Sequence, residues 1–189
     1  WRRHGCNGHD HGAALAAAGG YTPLYLHYNS GEHVSQNGRA LADMLELLLQ
    51  AWPVPVEKLA IIGHSMGGLL ARSAWHYGEL AGHAWLKHLR QLVFLGTPHH
   101  GAPLERGGNW ANVILELSPY TAALARVAKI RSAGITDLRH GGILDEDWKH
   151  GDRFAHAELK KSTMPLPQGV QCFAMGASLS KAGGDLKKP

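Results

Sequence analysis

The sequence predicts an α/β fold: a mainly parallel sheet with helices on both faces and a helical cap inserted before the last strand. Three observations predict it. Short apolar strands alternate with helical stretches, the order that builds parallel sheets. A strand, a sharp turn and a helix meet at Gly63-His64-Ser65-Met66-Gly67. Residues 102–166 then separate two strands, too long a stretch for a simple connection.

Residues 1–12, WRRHGCNGHDHG, are rich in Gly and His and read as a loop. Ala13 to Ala18 starts a short Ala-rich helix that stops at Gly19-Gly20. Thr22 to Asn29 has the aromatic and apolar content of a strand and ends in the turn residues Asn29-Ser30-Gly31. From Ser35 to Trp52 the pattern is helical, with Leu41, Met44, Leu45 and Leu48 on one face. Pro53 and Pro55 end that helix. Leu59 to Ile62 is a short buried strand, and the helix after the turn runs from Met66 to Tyr77, ending near Gly78. Arg90 to Gly96 and Val170 to Gly176 are the remaining strands. The insertion carries helical pieces at Trp110–Leu117 and Pro119–Lys129, whose apolar residues Trp110, Val113, Ile114 and Leu117 suit an acyl pocket or a cap core equally. The whole chain, 1–189, reads as one incomplete domain with 102–166 as a cap or lid within it.

Composition narrows the function classes. The chain has 189 residues, 44% of them hydrophobic, which is enough for a sizeable core. Its net charge of +4 comes from scattered basic residues with no aromatic interleaving, which argues against nucleic-acid binding. Cys6 and Cys172 stand far apart with no metal-ligand spacing, so neither a cysteine zinc site nor a disulfide framework is expected. His9-Asp10-His11 has metal-ligating side chains but no third cluster, and a solvated loop explains it better. No metal and no cofactor are expected. No apolar run has the length of a membrane span, although peripheral membrane contact stays open. The compartment is not fixed; two cysteines and no visible leader lean weakly towards the cytoplasm. Trp1 in place of Met, and the loop-like end GGDLKKP, read as cuts through a longer chain.

The turn at Ser65 carries the chemistry. G-x-S-x-G between a strand and a helix holds a serine hydroxyl out of the sheet end. Gly63 and Gly67 are expected to avoid a clash with the crossing backbone, and Gly68, Ala71 and Ala74 to let the helix pack close to the sheet. The free N–H groups of the helix start point at the same place, so the Met66 N–H is a candidate oxyanion donor. A phosphate cradle is the competing reading, but the G-x-G-x-x-G spacing and the P-loop lysine are absent.

IIGHSMGGLLARSA followed by LVFLGTPHHGAPL resembles the α/β-hydrolase superfamily, in its lipase and GPI inositol-deacylase-like branch. The two motifs stand in the right order at the expected distance. The resemblance is good over residues 20 to 104 and holds only in outline beyond. It implies a serine esterase or lipase with Ser65 as nucleophile, acting on a small-molecule or lipid ester. His64, His99 and His100 are then candidates for lining the substrate site.

The resemblance also implies an acid and then a histidine after the nucleophile. Asp185 is the one acid after the Val170–Gly176 strand, and it lacks the usual motif. No histidine follows His156, and a base at His140, His150 or His156 would break the superfamily order. The acid and base are therefore expected outside this chain, as is the strand that normally carries the second oxyanion donor. Its loss would leave an open sheet edge beside Leu59–Ile62, so the piece alone is expected to be poorly stable. Two alternatives stand beside the esterase reading: a silent module that binds a ligand or partner, and a thioesterase or acyltransferase using the same turn.

Overall fold

The computed structural model describes residues 10–101, 132–149 and 164–176. In chain order the elements are α1 (His11–Gly19), α2 (Val34–Ala51), β1 (Leu59–His64), α3 (Met66–Ala81), β2 (Leu89–Leu95), α4 (Ala133–His140), α5 (Glu146–Lys149) and β3 (Gln171–Met175). A 3₁₀ turn at Ala84–Lys87 links α3 to β2. The three strands form one parallel sheet in the order β1-β2-β3. This is the predicted α/β class.

The core lies between the sheet and the two long helices. α3 packs on β1 and β2, and α2 packs along α3. Leu69, Leu92, Phe94 and Trp85 are fully buried there, each contributing about 1.5–3 kcal/mol by its removal from water. The buried stripe of α2 runs Val34, Gly38, Leu41, Ala42 and Leu45. Met44 was expected on that stripe but is 43% exposed. Gly38 and Ala42 set the contact with α3 instead, because a side chain at Gly38 would collide with Ser73. The carboxylate of Glu46 accepts from the N–H groups of Ala84 and Trp85 at 2.8 and 3.1 Å, fixing the 3₁₀ turn against α2. On the other face of the sheet Ile62, Val93 and Phe173 lie side by side in register. Ile62 is 39% and Phe173 43% exposed, so that face is only partly covered among the described residues.

Three expectations change. Residues 22–29 form no strand. A strand needs a neighbour for its ladder, and the described residues place β2 alone beside β1. The segment instead leaves Leu24 and Leu26 exposed and helps line a cavity of about 270 Å³ with Leu45, Leu48, Trp52 and Val56, at the N-terminal end of β1. Second, α1 begins at His11 because Asp10 caps it, accepting from the Ala13 N–H at 3.0 Å. Asp10 also accepts from the Tyr25 hydroxyl. Among the described residues no group of His, Cys, Asp and Glu is arranged to hold a metal. Third, α3 runs on past Gly78 and ends at Gly82, which takes the left-handed φ of 69°. Gly78 lies under the Trp85 ring and gives it room.

Of the insertion, Trp110–Leu117 and Pro119–Lys129 lie outside the described residues. Residues 132–149 lie against α2 and α3 and add Leu138, Ile143 and Leu144 to the core. A polar clasp holds them there. Asp137, 3% exposed, accepts from the Val34 N–H at 2.8 Å and so caps α2 from 103 residues away. His33 Nδ1 pairs with the same carboxylate at 3.1 Å, and its ring stacks on Trp148 at 3.8 Å. Burial pushes the Asp137 carboxyl up, while the Val34 N–H and His33 pull it back. Ser73 donates to the Ile143 carbonyl at 2.7 Å, and Trp148 to the Ser35 hydroxyl at 2.9 Å. Asp145 bonds Arg39 and Lys149 at 2.8 and 2.7 Å.

Candidate functional site

Ser65 stands between β1 and α3, with φ 52° and ψ −120°. It is the one residue other than glycine with a positive φ among the described residues. Such backbone strain costs on the order of 1–3 kcal/mol and persists only where the surroundings enforce it. Here the enforcing contacts are visible. The Ser65 N–H donates to the Leu95 carbonyl at 2.8 Å, which ties the turn to β2. Its carbonyl accepts from the Gly68 N–H at 3.1 Å.

Serine at the start of a helix normally turns its hydroxyl onto the backbone N–H groups of the first turn. Ser65 makes no such bond, so its hydroxyl is not spent on capping α3. Met66 is the first residue of α3, where backbone N–H groups have no partner inside the helix. Its side chain is 7% exposed and anchors the helix start in the core.

Glycine permits the turn at two places. A Cβ on Gly63 would come within 2.5 Å of the Gly68 nitrogen and 2.6 Å of the Gly67 backbone. A Cβ on Gly68 would come within 2.0 Å of Thr97 Oγ1, in the loop after β2. Gly67 departs from the expectation, because a Cβ there meets nothing within 4 Å. The backbone crosses the Gly63 side of the turn, and Gly68 takes the second close contact. Ala71 and Ala74 are 1% and 0% exposed, as the slim helix requires.

The parallel register brings the other predicted residues to the same end of the sheet. His64 closes β1 opposite Leu95, and the loop carrying His99 and His100 follows β2. His64 is exposed as a residue, yet enough protein surrounds its ring for desolvation to lower its pKa. His99 is half-buried with its ring edge-on to Phe94, the centroids 4.7 Å apart. Burial lowers its pKa, and the charges of Arg72 and His100 lower it further. His100 is exposed.

Two features escaped the sequence reading. Arg72, seven residues after Ser65 on α3, reaches His99 Nδ1 at 3.3 Å and the Met164 carbonyl at 2.6 Å. The i, i+7 spacing puts it on the Ser65 side of the helix and is the signal that could have found it. The His33–Asp137 pair joins residues 104 apart with no motif at either end. Of the candidates for base and acid, His140 is the last residue of α4, whereas His150, His156 and Asp185 lie outside the described residues.

Among the described residues no helix is long and apolar enough to cross a membrane. No curated protein and no solved structure matches the chain. The PGAP1-like alpha/beta domain family matches residues 9–170, a span that holds the strained serine turn, the loop after β2 and most of the parallel sheet. With that match over most of its length, the chain belongs to the PGAP1-like alpha/beta domain family of the α/β-hydrolase superfamily, a hydrolase-type family.

Proposed function

We propose that the protein is a serine hydrolase that cleaves carboxylic esters through an acyl-enzyme on Ser65. The observation that carries this reading is the Ser65 backbone: a strained, non-glycine φ of 52° with the hydroxyl left off the helix start. Strain of this kind collects at functional sites.

In the proposed reaction Ser65 Oγ attacks the ester carbonyl carbon and gives its proton to a general base. The carbonyl oxygen takes up the negative charge, and the Met66 N–H donates to it. The tetrahedral intermediate collapses, the C–O bond to the alcohol breaks, and the alcohol leaves with the proton. Water then attacks the acyl-Ser65 carbonyl by the same steps and frees the acid. The superfamily places the general base as a histidine after the last strand. His64, His99 and His100 are assigned to the substrate, a small-molecule or lipid ester. Thioester cleavage and acyl transfer to another alcohol would use the same turn and differ only in the group bound or the acceptor.

Hydrolysis of short p-nitrophenyl esters by the full-length protein tests the reading. Ser65→Ala is expected to bring the rate down to background, a loss on the order of a million-fold where the catalytic residues act as a unit. Hydrolysis that survives the substitution would remove Ser65 as nucleophile. A wild-type protein with no activity on esters or thioesters would favour the silent ligand-binding module.

A further inference from the structure

Arg72 and His99 meet beside the Ser65 turn, and the chemistry of the pair fixes where a proton sits. Arg72 Nη1 is 3.3 Å from His99 Nδ1. A guanidinium offers only donors and keeps its charge in proteins. The His99 nitrogen that faces it must therefore accept. A neutral imidazole that accepts at Nδ1 carries its one proton at Nε2. A second proton, on Nδ1, would set N–H against N–H beside a fixed positive charge.

We infer that Arg72 is a positioning residue that holds His99 as the neutral Nε2–H tautomer, so that His99 meets the substrate as a hydrogen-bond donor to oxygen and not as the general base. The inference rests on the reading of Ser65 as the attacking group only for what His99 donates to. The tautomer stands on the Arg72 contact alone.

The surroundings hold both partners still. Arg72 Nη2 is tied to the Met164 carbonyl at 2.6 Å. Its Nε is buried without a hydrogen-bond partner among the described residues. Burial lowers the guanidinium's own pKa, though it starts so high that the charge is kept. Cys172 on β3 lies near enough to Arg72 to feel its charge; burial raises the thiol by more than Arg72 lowers it, so the thiol stays protonated at neutral pH. Among the described residues the charges acting on His99 are those of Arg72 and His100, and both disfavour a second proton; Arg139 and His140, at the end of α4, bring their backbone against the same loop. Phe94 packs edge-on against the ring from β2. The acceptor that suits an Nε2–H is an uncharged or anionic oxygen of the substrate away from the reacting carbonyl, such as a hydroxyl or a phosphate oxygen.

The test is the imidazole ¹H–¹⁵N spectrum of the ¹⁵N-histidine-labelled full chain, with the His99 signals assigned by their loss in His99→Phe. The expected wild-type result is a single Nε2–H tautomer for His99 that stays neutral as the pH falls below about 6.5, the ordinary histidine value. In Arg72→Met the signals should become a tautomer mixture and titrate at higher pH, and Arg72→Lys should restore much of the wild-type behaviour. A wild-type proton on Nδ1, or the same titration with and without Arg72, overturns the inference. The wild-type spectrum decides the tautomer even if Arg72→Met fails to fold. With an ester substrate, His99→Phe should raise KM about threefold to tenfold, the worth of one hydrogen bond, and leave kcat within about twofold. A fall in kcat of about a hundredfold or more would instead mark His99 as the base. If Ser65→Ala still hydrolyses esters, the nucleophile reading falls while the tautomer result stands.

Discussion

The two sides of β1 are built differently. On one side β2 runs beside it in register from Ala60 to His64, and the turn that follows is locked by Gly63, Gly68 and Thr97. On the other side no strand stands among the described residues, and the segment with strand-like composition at 22–29 leaves Leu24 and Leu26 in the open. The difference separates two kinds of structural cause. The serine turn is enforced by contacts that a few nearby residues supply. A strand is enforced by a neighbour, and strand-forming side chains do not make one alone.

The largest effect should come from filling the tight side. Gly68→Val would drive a branched side chain into Thr97, 2.0 Å from the added Cβ, and should cost about 3 kcal/mol. Gly67→Ala, one residue away in open space, should be neutral or gain up to about 1 kcal/mol from helix propensity. Thermal melts of the pair decide the matter, and equal losses at both positions would remove the steric account of the turn.

A middle-sized effect belongs to the clasp that holds residues 132–149 to α2 and α3. Burial alone would raise the Asp145 carboxyl, but hydrogen bonds from Lys149 and Ser35 and the charges of Arg39 and Lys149 outweigh it and hold it low. A carboxyl held below its unfolded value stabilises the fold above about pH 4 and loses that contribution as pH falls through its folded value. Asp145→Asn should therefore be less stable than wild type at pH 7 and should match it at strongly acidic pH. The expected gap is about 1 kcal/mol, kept small because Arg39 and Lys149 are half exposed. Denaturant melts across pH would show it, and a gap that persists at low pH would mean lost packing instead of lost charge.

The smallest effect is expected on the open side. Leu26 is 43% exposed, so Leu26→Ser should change stability by no more than about 0.5 kcal/mol. A loss of 2 kcal/mol or more in the same melts would show that this segment is covered in solution and that the contrast between the two sides of β1 does not hold.

The legible parts of the fold were those whose cause is local. α2 announces itself by periodicity and by Pro53 and Pro55, and the elbow by glycine spacing. β1, β2 and β3 are legible within a residue or two as apolar runs between breakers, although among the described residues β3 is mostly exposed. What failed depended on distant partners. Residues 22–29 needed a neighbouring strand, Met44 needed knowledge of which side α3 would take, and Gly78 looked like a helix end until Trp85 lay on it. In the candidate site, Ser65, Met66, His64, His99 and His100 are all proposed from two motifs, and the fold brings them to one end of the sheet. Arg72 is harder to name, because a lone arginine on a helix reads as a solvated face. The pairing of His33 with Asp137 has no trace in either local sequence, since only the folded chain brings the two together.

The φ of 52° at Ser65 has a consequence for the history of such chains. Glycine occupies that region of backbone space without penalty, and serine does not. Drift at position 65 therefore has a downhill direction, from serine to glycine, that relaxes the turn while deleting its hydroxyl. A lineage released from the need for that hydroxyl would be expected to keep its shape and lose it there first. At position 65 of this chain, then, the easier residue for the backbone and the residue that carries a hydroxyl are different ones, and the chain holds the second.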